Sequence, residues 1–74
     1  MKEIIIKCGS ETYSRMFAQE ATIGQIVNDP NVRSQLGYGD NVRALVSGVE
    51  QPLDTIVSAG TTIRVETRAN TKAN

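Results

Sequence analysis

The sequence predicts an α+β domain, in which a mixed β-sheet carries one helix across one face in the order β-β-α-β-β-β. Two observations lead to this fold class. Segments that alternate like strands stand on both sides of one segment with helical spacing, and glycine-containing turns separate them. The chain has 74 residues, enough for one small domain. Strands around a single amphipathic helix bury their apolar sides when the helix packs on one sheet.

The first two predicted strands form a hairpin. Residues 2–8 alternate between an apolar set and a mixed set, as in a strand with one buried side. The set predicted to face the core is Ile4, Ile6 and Cys8. A turn at Gly9-Ser10 leads to a second strand over residues 11–18. Both faces of that strand carry a large apolar side chain, so its facing stays open.

A helix is predicted after the hairpin. Thr22 and Gln25 have the spacing of a capping box, which marks a helix N-terminus. The apolar stripe predicted to pack on the sheet is Ile23, Ile26 and Val27. Asp29 precedes a proline, which interrupts the helical pattern. Asp29 can itself cap a further turn that has Pro30 in its first position and ends at Gly37.

Three strands complete the predicted sheet. One runs over residues 41–47, and a tight turn joins it to a short extended piece over 49–51. Pro52 places that piece at an edge of the sheet, because proline cannot donate a ladder hydrogen bond. The last strand, over residues 61–68, alternates throughout. Tyr38, in a loop between glycines, is expected to cover the rim of the core.

The domain is predicted to span residues 1–68. Residues 69–74 are small and polar, and we expect them to form a mobile tail. No apolar run approaches the ~18 residues of a membrane span, and no signal-peptide core is present. We therefore expect no membrane partner and, by default, a cytoplasmic location. The sequence leaves the oligomeric state open.

The order of elements, together with its turn residues, resembles the β-grasp fold of ubiquitin-like proteins. The resemblance is closest to the small sulfur carriers of thiamine and molybdopterin biosynthesis and to the related TGS domains. The points that carry it are the threonine-capped helix at 22–27, the strand end Val46-Ser47-Gly48, the step Leu53-Asp54, and Gly60 before the last strand. The resemblance implies that the final strand lies centrally, between the first and third strands.

The chemistry of the sulfur carriers is not expected here. Those families end in an exposed Gly-Gly whose carboxylate is adenylated and then loaded with sulfur or joined to a lysine. This sequence has no consecutive glycines and no glycine after Gly60. We therefore expect neither a sulfur carrier nor a conjugated modifier.

Composition argues against an enzyme and against a bound metal or cofactor. Without histidine the chain has no imidazole base or ligand, and one cysteine can form neither an intrachain disulfide nor a four-cysteine zinc site. Cys8 is expected to be a small hydrophobe at a strand end. The spacing of the acidic residues considered for a cation matches no calcium loop. Those residues are Asp29, Asp40, Glu50 and Asp54.

The helix-free face of the predicted sheet is the candidate site. Two aliphatic side chains ringed by basic ones have the composition of a protein-docking patch. The residues predicted to contact a partner are Ile5, Lys7, Arg43, Leu45, Arg64 and Arg68. Ubiquitin-like domains commonly hold partners on this face, so the resemblance implies the same function: a non-enzymatic adaptor or inhibitor with a protein partner.

Two other functions stay open. A nucleic-acid-binding module, by analogy with TGS domains, is favoured by the basic residues of this face and weakened by its lack of aromatics. Steep loss of binding with salt would identify that mode. A self-assembling or particle-associated structural protein would use an exposed strand edge, either residues 11–18 or the short strand before Pro52.

Overall fold

The computed structural model describes residues 1–39 and 41–67. The strands and helices of this part of the chain are β1 (Lys2–Cys8), β2 (Glu11–Phe17), α1 (Ile23–Val27), α2 (Pro30–Leu36), β3 (Val42–Val46), β4 (Val49–Glu50) and β5 (Thr62–Thr67). Asp40, Arg68 and the predicted tail 69–74 lie outside the described residues. Neither helix in the described ranges is long and apolar enough to cross a membrane.

The strands form one mixed sheet in the order β2-β1-β5-β3-β4. β1 and β5 are parallel neighbours, whereas the β1–β2, β3–β5 and β3–β4 pairs are antiparallel. The final strand therefore lies between the first and the third, which confirms the topology that the resemblance implies. In register, Lys7 of β1 lies beside Arg64 of β5, and Arg64 lies beside Leu45 of β3.

The predicted helix and the further turn after it are two short helices. Thr22 Oγ1 accepts a hydrogen bond from the Gln25 amide at 3.2 Å, and Gln25 Oε1 accepts one from the Thr22 amide at 2.9 Å. This is the predicted capping box. Asp29, in extended conformation before Pro30, separates α1 from α2 and caps the second helix. Gly37 ends it with a φ of 74°, in the left-handed region that glycine adopts without strain.

The core lies between the sheet and the two helices. It is built from β1, β5, the apolar stripe of α1 and two residues of α2, and its fully covered side chains include Ile4, Ile6, Ile23, Ile26, Val32 and Ile63. Cys8, predicted to be buried, is only half-buried and packs on the margin of this cluster. The facing of β2 is settled by its pairing with β1, which buries Phe17 and leaves Met16 49% exposed.

The connection from β4 to β5 packs against the start of α1. The Gly24 amide donates to the Leu53 carbonyl at 2.7 Å, and the Ile23 amide donates to Thr55 at 2.8 Å. A Cβ on Gly24 would stand 3.0 Å from the Leu53 oxygen, so this close contact favours glycine inside a helix where it is otherwise unfavourable. The side chains of Leu53 and Ile56 stay more than half exposed beside this contact.

Lys2 is buried at the margin of the core, although a charged residue is usually exposed. Its side chain is 1% exposed. The ammonium donates to the main-chain oxygens of Gln19 at 2.9 Å, Ala21 at 3.0 Å and Val57 at 2.7 Å. We call these three oxygens the carbonyl cage. Because an ammonium has three donors, the cage satisfies all of them. It ties the start of β1 to the β2–α1 loop and to the β4–β5 connection.

Tyr38 covers the rim of the core, as predicted. It is 8% exposed, and its hydroxyl donates to the main-chain oxygen of Val27 at 2.5 Å. Burial, followed by the nearby thiol of Cys8, raises the pKa of Tyr38 to about 12 from 10.0. The hydroxyl therefore holds its proton in the folded state at a pH where the unfolded chain has lost it.

We expect Tyr38→Phe to cost about 1 kcal/mol at pH 7, because the Val27 oxygen loses its donor. We also expect a difference at high pH. Since the folded pKa is raised, the stability from Tyr38 is complete below pH 10 and is lost as the pH rises toward 12, at about 1.4 kcal/mol per unit. Urea titrations of both proteins across this range test the prediction. An equal fall in stability for the two proteins would contradict it.

Candidate functional site

The side of the sheet away from the helices, here called the outer face, gathers side chains from all five strands of the described chain. Strand alternation and the observed register assign its members. They are Glu3, Ile5 and Lys7 on β1, Thr12, Ser14 and Met16 on β2, Thr62, Arg64 and Glu66 on β5, Arg43 and Leu45 on β3, and Glu50 on β4.

One row across this face combines charge and apolar surface. Lys7, Arg64 and Leu45 are successive neighbours on β1, β5 and β3. Lys7 and Arg64 are exposed, whereas Leu45 is half-buried between the strands around it. Ile5, one step away on β1 and opposite Thr62, is also half-buried. The row and its surroundings therefore offer a partner two half-buried aliphatic side chains, on β1 and β3, with the cations Lys7 and Arg64 beside and between them.

A carboxylate organises the two arginines of the face. Arg43 donates to Glu66 Oε1 through Nη2 at 2.9 Å and through Nε at 3.3 Å. Arg64 Nε lies 3.4 Å from the other oxygen, Oε2. All three side chains are more than a third exposed, so these pairs add little stability. Their effect is on position: the Glu66 carboxylate contacts both guanidinium groups and shares its one negative charge between them.

A groove of about 500 Å³ opens where this row meets the β3–β4 turn. Its lining is Lys7, Arg64, Leu45, Val46, Ser47, Gly48, Thr61 and Thr62. Ser47 and Gly48 both have positive φ, which gives a two-residue hairpin turn whose twist matches the strands. The lining thus carries two cations, three hydroxyls and an apolar floor, and no acidic residue of the described chain belongs to it.

The predicted contact residues are brought together in part. Ile5, Lys7, Arg43, Leu45 and Arg64 share the outer face, while Arg68 lies outside the described residues. Their role in binding stays a prediction. The groove residues that alternation did not indicate lie in the β3–β4 turn and just before β5, namely Ser47, Gly48 and Thr61. They come beside Lys7 because β5 pairs with both β1 and β3.

The described residues other than those of the outer face were also compared with the needs of metal binding, thiol chemistry and base stacking. No group of three or more histidine, cysteine, aspartate or glutamate side chains there is placed to hold a metal ion. Cys8 is a half-buried free thiol on the margin of the core. The three aromatic residues of the sequence, Tyr13, Phe17 and Tyr38, all pack with the core, so none stands on the outer face.

The fold is that of solved ubiquitin-like proteins. The chain superposes on small archaeal modifier protein 1 of H. volcanii with a TM-score of 0.72 at 17% identity, covering 93% of this chain and all of that one. It superposes on Caldiarchaeum subterraneum ubiquitin with a TM-score of 0.73 at 19% identity, covering 95% of this chain and 96% of that one. A de novo protein designed on ubiquitin gives a TM-score of 0.75 at 20% identity, covering 99% and 95%.

No protein-family model matches the sequence, and no curated protein matches it either. At these identities the structural likeness shows the ubiquitin-like β-grasp fold and nothing finer. What the chain does must be argued from its own outer face.

Proposed function

We propose that this ubiquitin-like β-grasp domain is a protein-interaction module, without catalysis of its own, that docks a partner on its outer face. The observation that carries the proposal is the row formed by Lys7, Arg64 and Leu45. Protein interfaces combine apolar contacts with charged and polar ones, and arginine is enriched in them. The likeness to ubiquitin-like folds supports the same surface, since such domains generally interact with other proteins.

The partner segment is expected to combine an apolar side chain with a carboxylate. Leu45 provides the apolar contact, and the groove beside it holds two cations without an acidic residue. Lys7 has no ion pair among the described residues, so its charge is available to a partner. Glu66 already occupies Arg43 and part of Arg64. A carboxylate approaching Lys7 and Arg64 therefore gains most.

The nucleic-acid alternative finds less support. Single-stranded nucleic acids are bound by aromatic stacking as well as by charge. The aromatic residues of this chain pack with the core. The arginines of the outer face are also held by Glu66, which repels phosphate.

A peptide selection tests the proposal directly. A displayed library of random peptides is selected on the immobilised 74-residue chain, and the enriched peptide is titrated against variants. We expect enrichment of an aliphatic or aromatic residue next to aspartate or glutamate. Leu45→Ser should weaken binding about tenfold, and Lys7→Gln about threefold with a smaller salt dependence. The matched control is Leu53→Ser, which changes an exposed leucine away from the outer face.

The binding of the folded variants can contradict the proposal. Circular dichroism of each variant first establishes that it is folded. If Leu45→Ser and Leu53→Ser bind the selected peptide equally well, the outer face is not the docking surface. If the enriched peptides are basic, or if no peptide is enriched, the proposed partner chemistry is wrong.

A second candidate is suggested by the likeness to a small archaeal modifier protein. A modifier is joined to its targets, so its products survive denaturation. The tagged chain, expressed in its native cell and captured under denaturing conditions, would then migrate in bands heavier than the free chain. A docking module yields only the free chain under those conditions.

A further inference from the structure

We propose that β2 pairs with the β2 strand of a second copy of this chain, forming a symmetric dimer with a continuous sheet. β2 is the edge strand next to β1, and none of residues 1–39 and 41–67 pairs with its outer side. It is seven residues long and contains no proline. An edge of this length offers a row of main-chain donors and acceptors to another strand.

The outward main-chain groups of β2 belong to three residues. The two-residue turn at Gly9-Ser10 makes Cys8 and Glu11 a hydrogen-bonded pair, and such pairs alternate along an antiparallel ladder. The odd-numbered residues of β2 therefore bond to β1. The residues whose amide and carbonyl groups point to the free edge are Thr12, Ser14 and Met16. Their side chains all lie on the outer face.

The sequence of β2 allows antiparallel pairing with the β2 strand of a second copy, with the two-fold axis at its middle residue. With the two-fold axis at Ser14, each Thr12 lies opposite a Met16 of the second copy, and all three outward residues are paired. That register forms six main-chain hydrogen bonds by the alternation rule. A shift that centres the axis on Arg15 would instead place two arginines face to face, which is unfavourable.

The charges on the helix side are compatible with the same register. There, Arg15 lies opposite Tyr13 of the second copy, and its two diagonal neighbours on that copy are Glu11 and Arg15. Long side chains reach such diagonal neighbours. Arg15 already binds Asp29 at 2.8 Å and lies over the Phe17 ring, and its side chain stays about a third exposed. In this register each arginine has a carboxylate of the second copy within reach, whereas an axis at Arg15 would place the two arginines directly opposite each other.

The other edge of the sheet, formed by β4, is better protected against pairing with a further strand. β4 has two residues, and Pro52 follows it closely. Short edge strands and prolines are the usual means by which proteins prevent strand pairing. Among the described strands, the long unpaired edge is therefore that of β2. Two copies of the chain would accordingly pair β2 with β2.

Sedimentation equilibrium of the 74-residue chain between about 10 µM and about 1 mM tests the proposal, since this range detects association free energies of about 4 to 7 kcal/mol. We expect the mass to rise toward that of two chains. Ser14→Lys sets two ammonium groups against each other at the axis, and Ser14→Pro removes two hydrogen bonds of the dimer without touching β1. Each should weaken the dimer at least tenfold, while Ser14→Thr should not.

A disulfide measures the register. In a chain where Cys8 is replaced by alanine, Ser14→Cys places two thiols opposite each other, about 5.5 Å apart at Cα, within disulfide range. Thr12→Cys is the matched control, since each Thr12 lies opposite Met16. We expect oxidation to cross-link the first variant and not the second. A one-chain mass at 1 mM, or equal dimerisation of folded Ser14→Lys and wild type, overturns the proposal. Equal cross-linking of both cysteine variants overturns the register.

Discussion

Lys2→Met is expected to lower the free energy of unfolding by about 3 kcal/mol, which is the largest effect that we predict for a single substitution. Methionine keeps the length and the apolar stem of the side chain, so the change removes the ammonium and little else. The carbonyl cage then loses its three donors at once. One of its hydrogen bonds is fully buried and the other two are partly buried, so water replaces them poorly.

The matched control is Lys7→Met. It makes the same substitution five positions along the same strand, where the side chain is exposed. We expect Lys7→Met to stay within about 0.5 kcal/mol of wild type in urea unfolding. Lys2→Arg should also destabilise, because a planar guanidinium group does not fit three oxygens arranged around one ammonium. Similar stabilities for Lys2→Met and Lys7→Met would show that the cage contributes no net stability.

Asp29→Ala is expected to lower the free energy of unfolding by about 1.5 kcal/mol. Asp29 Oδ1 accepts hydrogen bonds from the amides of Asn31 at 2.8 Å and Val32 at 3.3 Å, and from Arg15 at 2.8 Å. Loss of the helix cap accounts for about 1 kcal/mol. The remainder comes from Arg15, which loses its partner on the helix side of β2. The measurement is urea unfolding at neutral pH.

Asp29→Asn separates the two contributions. The asparagine oxygen can cap α2 about as well as the aspartate, but it carries no charge for Arg15. We therefore expect Asp29→Asn to cost about 0.5 kcal/mol, the usual size of a partly exposed ion pair. If asparagine cost as much as alanine, the ion pair, and not the cap, would be the main contribution of Asp29.

Local signals made most of this fold predictable. The capping box at Thr22 and the Asp29–Pro30 break each depend on residues within four positions, and both were found in the structure as the sequence indicates. The central position of β5 came from the resemblance, because alternation alone does not order strands. The facing of β2 could not be read from its own residues, since both sides carry large apolar groups. It follows from the register with β1.

Long-range contacts explain what the sequence did not reveal. The partners of Lys2 lie 17, 19 and 55 positions away and are main-chain oxygens, which leave no trace in residue identity. Alternation even placed Lys2 on the side of Ile4, yet a charged residue there predicts exposure. The candidate site was likewise predictable only in part. Its side chains on β1, β3 and β5 could be assigned to one face, whereas the groove depends on a turn brought beside Lys7 by the parallel pairing.

The parallel pairing of β1 and β5 also determines how the domain can fold. Ile6 and Ile63 are neighbours at the centre of the sheet, and nearly all of the described chain lies between them. Closing so long a segment costs entropy before any central contact compensates for it. A nascent chain therefore has no complete core until β5 has left the ribosome. We expect a single cooperative folding transition, slow for a chain of this length, with no stable intermediate that contains only the hairpin and the helices.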